Sequence, residues 1–502
     1  MGAYLSSFKS AIEGVGLAAG TARKRKHSEC MDESRCEEQP LKRKKLMTTA
    51  QYVYQVMFKE EHKSDVAVRC LGRTWHLHKV YLCQSAYFSS MFGGSWKESD
   101  RDFINIEIID PNISIEALDA VFGSLYLDEI TLNVNVIIPV LATAALFQLN
   151  SLIEKCSEVM IESIDPTTVV AYYEAACQYG VKNVRDSAFE WLQVNLLNFY
   201  MKHLKLLNQV DLELMYKLIS SPDLFVMQTE YAIYYLLKNW IYFQLHPGSE
   251  SNPRADLKGT IQNFYNNLDK SKPFLETRMG KKYEKLFRAL RLNYLLNHHR
   301  DIEIILKDNI IPQSWIYAPI LQQWDAMLCF DESTYNGPSE CDEKVFGESC
   351  MRCGRVLDSE GFQKWRWTGF NFGLDLVFIV DTRNLSIKRN HRPENERLLS
   401  LQVKRQFLVR VTILTVNANS QVKHRQTSGI KALTLEKNEE VVLLQFDKEL
   451  SYPLLISINI LNVSPLIPAE RIQTKAQLAA SGGSSVNPNH VSEVNLSHNA
   501  EE

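Results

Sequence analysis

The run from Ser64 to Ser99, SDVAVRCLGRTWHLHKVYLCQSAYFSSMFGGSWKES, constrains this chain more than any other part of it. Ser64-Asp65 stands ahead of the alternating residues Val66, Ala67, Val68 and Arg69. A Gly72-Arg73 turn follows, and then a second short run, Thr74 to Leu77. Alternation bounded by turn residues predicts a β-hairpin, because successive strand side chains point to opposite faces. Leu82, Ala86 and Phe88 then fall near helical spacing. Ser85 has the hydroxyl that an N-cap uses to accept a free backbone N–H.

At 502 residues the chain has room for about three or four domains with real cores. Hydrophobic residues make up 45% and charged residues 23%, the balance of an ordinary soluble globular chain. A net charge of -3 gives no overall basic field, so sequence-specific binding of nucleic acid is not expected. No run reaches the roughly eighteen apolar residues of a membrane span. The start lacks the basic region and apolar stretch of a secretory signal. Ten cysteines are scattered without a framework spacing, which suits a reducing compartment.

Residues 1–48 read as a disordered targeting tail. Met1-Gly2-Ala3-Tyr4-Leu5-Ser6 fits the myristoylation pattern at Gly2. Two basic clusters follow, Arg23-Lys24-Arg25-Lys26 and Lys42-Arg43-Lys44-Lys45, with an acidic spacer between them. Such clusters are nuclear-import or polyanion-binding candidates, and a solvated tail is the plainer alternative. One acyl chain and one polybasic patch together make the two weak signals that stable membrane attachment needs. Gly14 to Gly20 is no dinucleotide loop, since no strand precedes it and no βαβ unit follows.

Residues 49–163 have the layout of an α/β unit. Tyr52, Val53, Val56, Met57 and Phe58 predict a helix leading into the hairpin. Phe103 to Ile109 alternates as a strand, and Ser114 caps a helix through Leu125. Two more helices are predicted, Val136 to Leu146 and Leu152 to Ile161. The ordered set of hairpin, His78-Lys79-x-x-Leu82 and Ser85-x-x-Phe88-x-x-Met91-Phe92 resembles the BTB (POZ) domain. In that family, members that bind cullin-3 carry a hydrophobic-x-Glu motif where Trp96 and Glu98 stand here. A large apolar side chain would fill a groove on the partner, and the carboxylate would accept charge-assisted hydrogen bonds. Read alone, the pair fits better with Trp96 packed inside the domain and Glu98 solvated. Asp65 and Lys79 match the charged pair near the BTB dimer base. His76 and His78 lack a third ligand at sensible spacing, so hydrogen bonding rather than metal is expected of them.

Residues 164–330 are helical by period, and Tyr173 to Gly180 (YEAACQYG) resembles the BACK domain, a spacer. Residues 249 to about 272 read as a polar loop insert. Helical periodicity resumes at Tyr283 and runs through Leu286, Phe287, Leu290, Leu292, Leu295 and Leu296. Residues 331–350 are acidic and turn-rich and read as a linker.

Residues 351–469 are strand-like, and residues 470–502 read as a disordered tail. Strands are predicted at Leu374 to Val380, Leu385 to Arg389, Leu399 to Val403, Phe407 to Val416, Val441 to Phe446 and Leu454 to Leu461. An antiparallel sandwich is the simplest arrangement, and no kelch period is visible. Trp365, Arg366, Trp367, Phe370 and Phe372 are candidates either for substrate contact or for the core of this domain. Cys350-Met351-Arg352-Cys353 lacks a second pair, so neither metal nor cofactor is expected. No catalytic signature is present, so the chain is not expected to be an enzyme.

The whole is thus α+β and multidomain, with BTB, BACK-like and β-rich parts between two tails. A Met-Gly start, two basic clusters, BTB, BACK and a non-kelch end carrying Arg366-Trp367-Thr368-Gly369-Phe370-Asn371-Phe372-Gly373 resemble the germ cell-less family. Tyr81 to Phe92 and Ser95 to Ser99 are the nearest-matching stretches. The resemblance implies a BTB homodimer and service as a substrate adaptor for a cullin-3 ubiquitin ligase. It also implies association with the nucleus and nuclear envelope, through an import receptor and lamina proteins, and a part in germ-cell formation or spermatogenesis. A lamina-associated scaffold or transcriptional corepressor without ligase function is the alternative.

Overall fold

A computed structural model of the chain describes residues 47–93, 101–127, 130, 132–200, 202–227, 229–248, 257–332, 334–369, 372–447 and 450–464. Gly2, both basic clusters, Trp96, Glu98 and Phe370 lie outside the described residues. The described residues from Val53 onward form one compact unit.

The predicted hairpin is present as β1 (Val66–Cys70) and β2 (Arg73–Leu77). Its turn is Leu71-Gly72 rather than Gly72-Arg73, because Cys70 pairs with Arg73 and both turn residues have positive φ, +47° and +83°. A two-residue loop of that hand matches the twist of the strands, and glycine accepts the second position without strain. Val66, Val68, Trp75 and Leu77 face the core. The third strand, β3 (Phe103–Ile106), lies parallel to β1, which gives the order β2-β1-β3. A parallel neighbour needs a long crossover. Here it includes α2 (Lys79–Leu82) and α3 (Ala86–Gly93), which follow α1 (Thr49–Val53) and its π-helical continuation Tyr54–Lys59 in chain order. Ser85 accepts from the Phe88 N–H at 3.3 Å and donates to the Phe147 carbonyl at 2.5 Å. Ser114 caps α4 (Ile115–Ser124) as expected, accepting from the Ala117 N–H. Then come α5 (Ile137–Leu146) and α6 (Asn150–Glu162).

The helical part runs from α7 (Val169–Tyr179) and α8 (Lys182–Asn195) through α9 (Leu204–Leu207), α10 (Leu212–Ser220) and α11 (Tyr231–Leu245). One continuous hydrophobic core joins it to the α/β unit, from Phe58 to Ile316. The polar insert contains a helix after all, α12 (Leu257–Asn267). Only Ile261 and Tyr265 of it are buried, one turn apart, and so narrow a stripe is hard to see in a polar sequence. The apolar run after Tyr283 is not one helix. It breaks into α13 (Glu284–Arg288) and a 3-10 turn at Leu292–Tyr294. Next are α14 (His299–Asp308) and α15 (Gln313–Asp331).

The acidic segment read as a linker also contains a helix, α16 (Glu343–Ser349). Asp342 caps it, accepting from the N–H groups of Lys344 and Val345, and Phe346 is buried. Among the described residues the sandwich is present as eight antiparallel strands in two sheets. One has the order β10-β7-β6-β5, where β5 is Gln363–Gly369, β6 Leu374–Val380, β7 Asn384–Arg389 and β10 Glu440–Gln445. The other has the order β4-β11-β8-β9, where β4 is Met351–Leu357, β8 Lys404–Val416, β9 Val422–Glu436 and β11 Leu454–Leu461. Leu399 to Val403 is not a strand. Its carbonyls at Ser400, Gln402 and Val403 accept from the buried Arg389 guanidinium instead of from a ladder.

Candidate functional site

At the α/β end, Asp65 and Lys79 meet, but not charge to charge. The Lys79 backbone N–H donates to Asp65 Oδ1 at 2.7 Å, so the carboxylate caps the first turn of α2. The Lys79 ammonium lies 5.5 Å from the centre of the Phe92 ring. His78 is buried and both ring nitrogens are engaged, Nε2 with the His62 carbonyl at 3.0 Å and Nδ1 with the Tyr126 hydroxyl at 3.1 Å. His76 is exposed on β2. Trp96 and Glu98 belong to the segment directly after α3, so the candidate partner motif follows the helix that Ser85 and Phe88 anchor.

A charged cluster sits on the same unit. Asp119 of α4 accepts from Trp75 Nε1 at 3.2 Å, and its two oxygens pair with Lys59 at 3.1 Å and Arg73 at 3.0 Å. Burial pushes this carboxyl up, but the Trp75 hydrogen bond and the Lys59 and Arg73 charges outweigh it and hold it below the usual carboxylate range. The folded value is depressed, so the stabilisation is complete above the unfolded value near pH 3.9 and is lost as pH falls through the folded one. Asp119→Asn is expected to cost about 1–2 kcal/mol at pH 7. Urea unfolding should show the gap between the two proteins closing below about pH 4. A gap independent of pH would show that the charge contributes nothing.

Behind this unit, the sandwich is bolted to the helices by a buried ion cluster that no motif announces. Glu230, at the start of α11, and Arg352, on β4, have side chains 0% and 1% exposed. Arg352 donates to Glu230 through Nη2 at 2.5 Å and Nε at 3.3 Å. Its Nη1 donates to the carbonyls of Ile219 and Ser221, at the end of α10. The Arg291 N–H donates to the same carboxylate at 3.0 Å, and the Arg291 guanidinium reaches the carbonyls of Gly347 and Glu348 in α16. Burial, with the Arg352 charge beside it, lowers the Arg291 value to about 10. The β8–β9 turn supplies a second joint. Trp191 and Asn195 of α8 donate to the carbonyls of Asn419 and Ser420, and Gln421 donates to the Ile161 carbonyl of α6 at 2.6 Å.

The candidate substrate residues on the sandwich separate. Trp367 and Phe372 are 6% and 2% exposed and belong to its core. Phe372 packs on Tyr294 of the helical part, ring centroids 5.3 Å apart. Trp365 is half-buried and stacks on Phe378, while Arg366 holds Asp375 through two hydrogen bonds of 2.5 and 2.6 Å. Trp365 and Arg366 are therefore the described members of the set that reach the surface. Cys350 and Cys353 are buried, and burial pushes the Cys353 thiol up to about 12 and the Cys350 thiol up as well. Among the described residues no group of three or more His, Cys, Asp or Glu side chains is placed to hold a metal ion.

Comparison with known proteins fits this geometry. The family model described as BTB/POZ domain matches residues 54–164. Protein germ cell-less of Drosophila melanogaster is 49% identical over 447 residues, 84% of this chain and 79% of that protein. Germ cell-less protein-like 1 of Homo sapiens is 39% identical over 84% of this chain and 83% of its own length. Kelch repeat and BTB domain-containing protein 8 of Mus musculus is 26% identical over 37% of this chain and 30% of its own length. Likeness to the kelch-bearing protein is thus confined to about a third of the chain, while the germ cell-less proteins match through most of it. A BTB unit, a helical arm and a non-kelch sandwich in one body, with 49% identity sustained over 84% of the chain, show that this chain belongs to the germ cell-less family.

Proposed function

We propose that the chain is a non-catalytic, substrate-recognition adaptor of a cullin-3 RING ubiquitin ligase. The observation that supports it best is mechanical. An α/β unit that shares its core with a helical arm, itself bolted to a sandwich, would hold a client at a fixed distance from whatever the BTB end binds. Self-association through the BTB unit would present two arms and two client sites, which raises effective concentration. Trp96 and Glu98 would dock the cullin, and Trp365 and Arg366 are surface positions that a client would touch.

The test is titration calorimetry of the full chain with the cullin-3 N-terminal region, beside a folded Trp96→Ala, Glu98→Ala double variant. A loss on the order of 2 kcal/mol is expected of a central hot spot. No binding by the unaltered chain would leave the scaffold reading in its place. We further propose a nuclear-envelope location and a role in germ-cell formation, supported by the two basic clusters and by Gly2. Imaging of a variant with both clusters replaced by alanine checks the location, and an unchanged nuclear signal would remove that part of the proposal.

A further inference from the structure

Strand β5 ends its sheet and pairs with β6 alone, from Gln363 against Val380 to Gly369 against Leu374. The other edge strands of the sandwich meet neighbours. Met351, Arg352 and Cys353 at the start of β4 are buried, and Arg352 is tied to the end of α10. Strands β9 and β10 close on one another, Lys431 Nζ donating to the Leu443 carbonyl at 2.7 Å and Gln426 Nε2 to the Gln445 carbonyl at 2.8 Å. The phase of the ladder fixes which groups of β5 point outward. On the far side of β6 the Asn390 N–H donates to the Asp375 carbonyl at 2.8 Å, and the Asp381 N–H to the Asn384 carbonyl at 3.1 Å. Odd-numbered residues of β6 therefore bond towards β7 and even-numbered ones towards β5. Their partners on β5 are odd-numbered, so Lys364, Arg366 and Thr368 direct their backbone groups away from the sheet. The backbone groups of Lys364 and Thr368 have no hydrogen-bond partner among the described residues. Outward groups of this kind are a template for another strand.

The side chains on the two faces of β5 decide what fits beside it. Trp365 points to the inner face, half-buried and stacked on Phe378 with ring centroids 5.5 Å apart. A strand beside β5 would cover the rest of its ring, which calls for an apolar side chain opposite it. On the outer face Arg366 is held by Asp375, while Lys364 is exposed and has no ion pair among the described residues. A carboxylate opposite Lys364 would gain a cross-strand ion pair. A second copy of the chain fits badly. Full antiparallel overlap would set Arg366 directly against its own image, with Lys364 diagonal to it, and like charges across a ladder are destabilising.

We propose that the outer edge of β5 takes up an extended segment of a client protein as an added strand, with an apolar side chain opposite Trp365 and a carboxylate opposite Lys364. The proposal rests on the adaptor reading and names its client-binding surface. Main-chain hydrogen bonds to Lys364 and Thr368 give affinity, and the alternate side chains choose the client. Successive strand residues point to opposite faces, so one alternating apolar and acidic segment meets both demands.

The test uses the full chain and a fluorescein-labelled designed peptide that alternates valine and glutamate over the length of β5. Fluorescence anisotropy should report saturable binding. Thr368→Pro removes an outward N–H and leaves the β6 ladder its donors, and it should raise Kd about ten-fold. Lys364→Glu should raise Kd about three- to ten-fold for this peptide and lower it for one that alternates valine and lysine. Methylating alternate peptide nitrogens should abolish binding for one set and spare it for the other, since only one edge of an added strand meets β5. Cullin-3 binding by the same variants should not change, so a failure here is distinguishable from a failure of the adaptor reading. Equal binding by either variant, equal loss with both methylated sets, or no binding by the unaltered chain would overturn the proposal. So would a drop in mass by light scattering on adding excess peptide, which would give the edge to a second copy of this chain.

Discussion

Glu230→Gln is expected to destabilise the chain by about 3–5 kcal/mol and to split its unfolding into two steps. The carboxylate is fully buried and accepts from the buried Arg352 guanidinium and from the Arg291 backbone N–H. Taking the pair from water into the interior is costly, and their mutual attraction offsets that cost only while both charges are present. Glutamine keeps the volume and removes the charge, which leaves Arg352 bound to carbonyls alone. Those carbonyls belong to Ile219 and Ser221, so the damage falls on the joint between α10, α11 and β4. Guanidinium denaturation followed by Trp fluorescence and by far-UV circular dichroism measures the effect. The paired variant Glu230→Leu, Arg352→Met should cost much less than the two single changes added together, since no buried charge is left alone. Simple additivity would mean that the ion pair is not what couples the sandwich to the helices.

Gly337→Ala is expected to cost about 3 kcal/mol. Gly337 has φ +122°, a region closed to residues with a Cβ, and a Cβ there would stand 1.8 Å from the Gln406 carbonyl oxygen. That carbonyl belongs to β8, which is held between β11 and β9, so it has no room to withdraw. The close approach is fixed by the Gln406 N–H, which donates to the Asn336 carbonyl at 2.8 Å. The melting midpoint should fall, and limited proteolysis should cut faster between residues 334 and 342. A midpoint equal to that of the unaltered chain would show that this stretch is not pinned to the sandwich.

Much of the fold was legible because its signals are local. The β1–β2 alternation, the Ser114 cap and the periods of α7 and α8 depend on near neighbours, and the strands β6, β8 and β11 are dense apolar runs. The family could be read from the order of those signals and from the stretch between Tyr81 and Ser99. Elements with weak or mixed patterns were not legible. In the first half of strand β9 the half-buried positions after Val422 are His424, Gln426 and Ser428, so nothing apolar alternates there. Helix α12 shows the core two residues, and α16 is a short helix in an acidic run.

The sequence by itself thus determined the modules, their order and the family, because each module's pattern is set by residues a few positions apart. Tertiary structure alone decided how the modules are joined. Glu230 and Arg352 are 122 positions apart, and no spacing rule links a glutamate before one helix to an arginine between two cysteines. The folded chain also separated Trp367 and Phe372, which fill a core, from Trp365 and Arg366, which reach solvent. It likewise left Tyr317, Leu321 and Trp324 of α15 exposed, which its sequence, with no clean division into a polar and an apolar face, does not reveal. Burial depends on what packs from elsewhere in the chain, and a linear pattern does not carry that information.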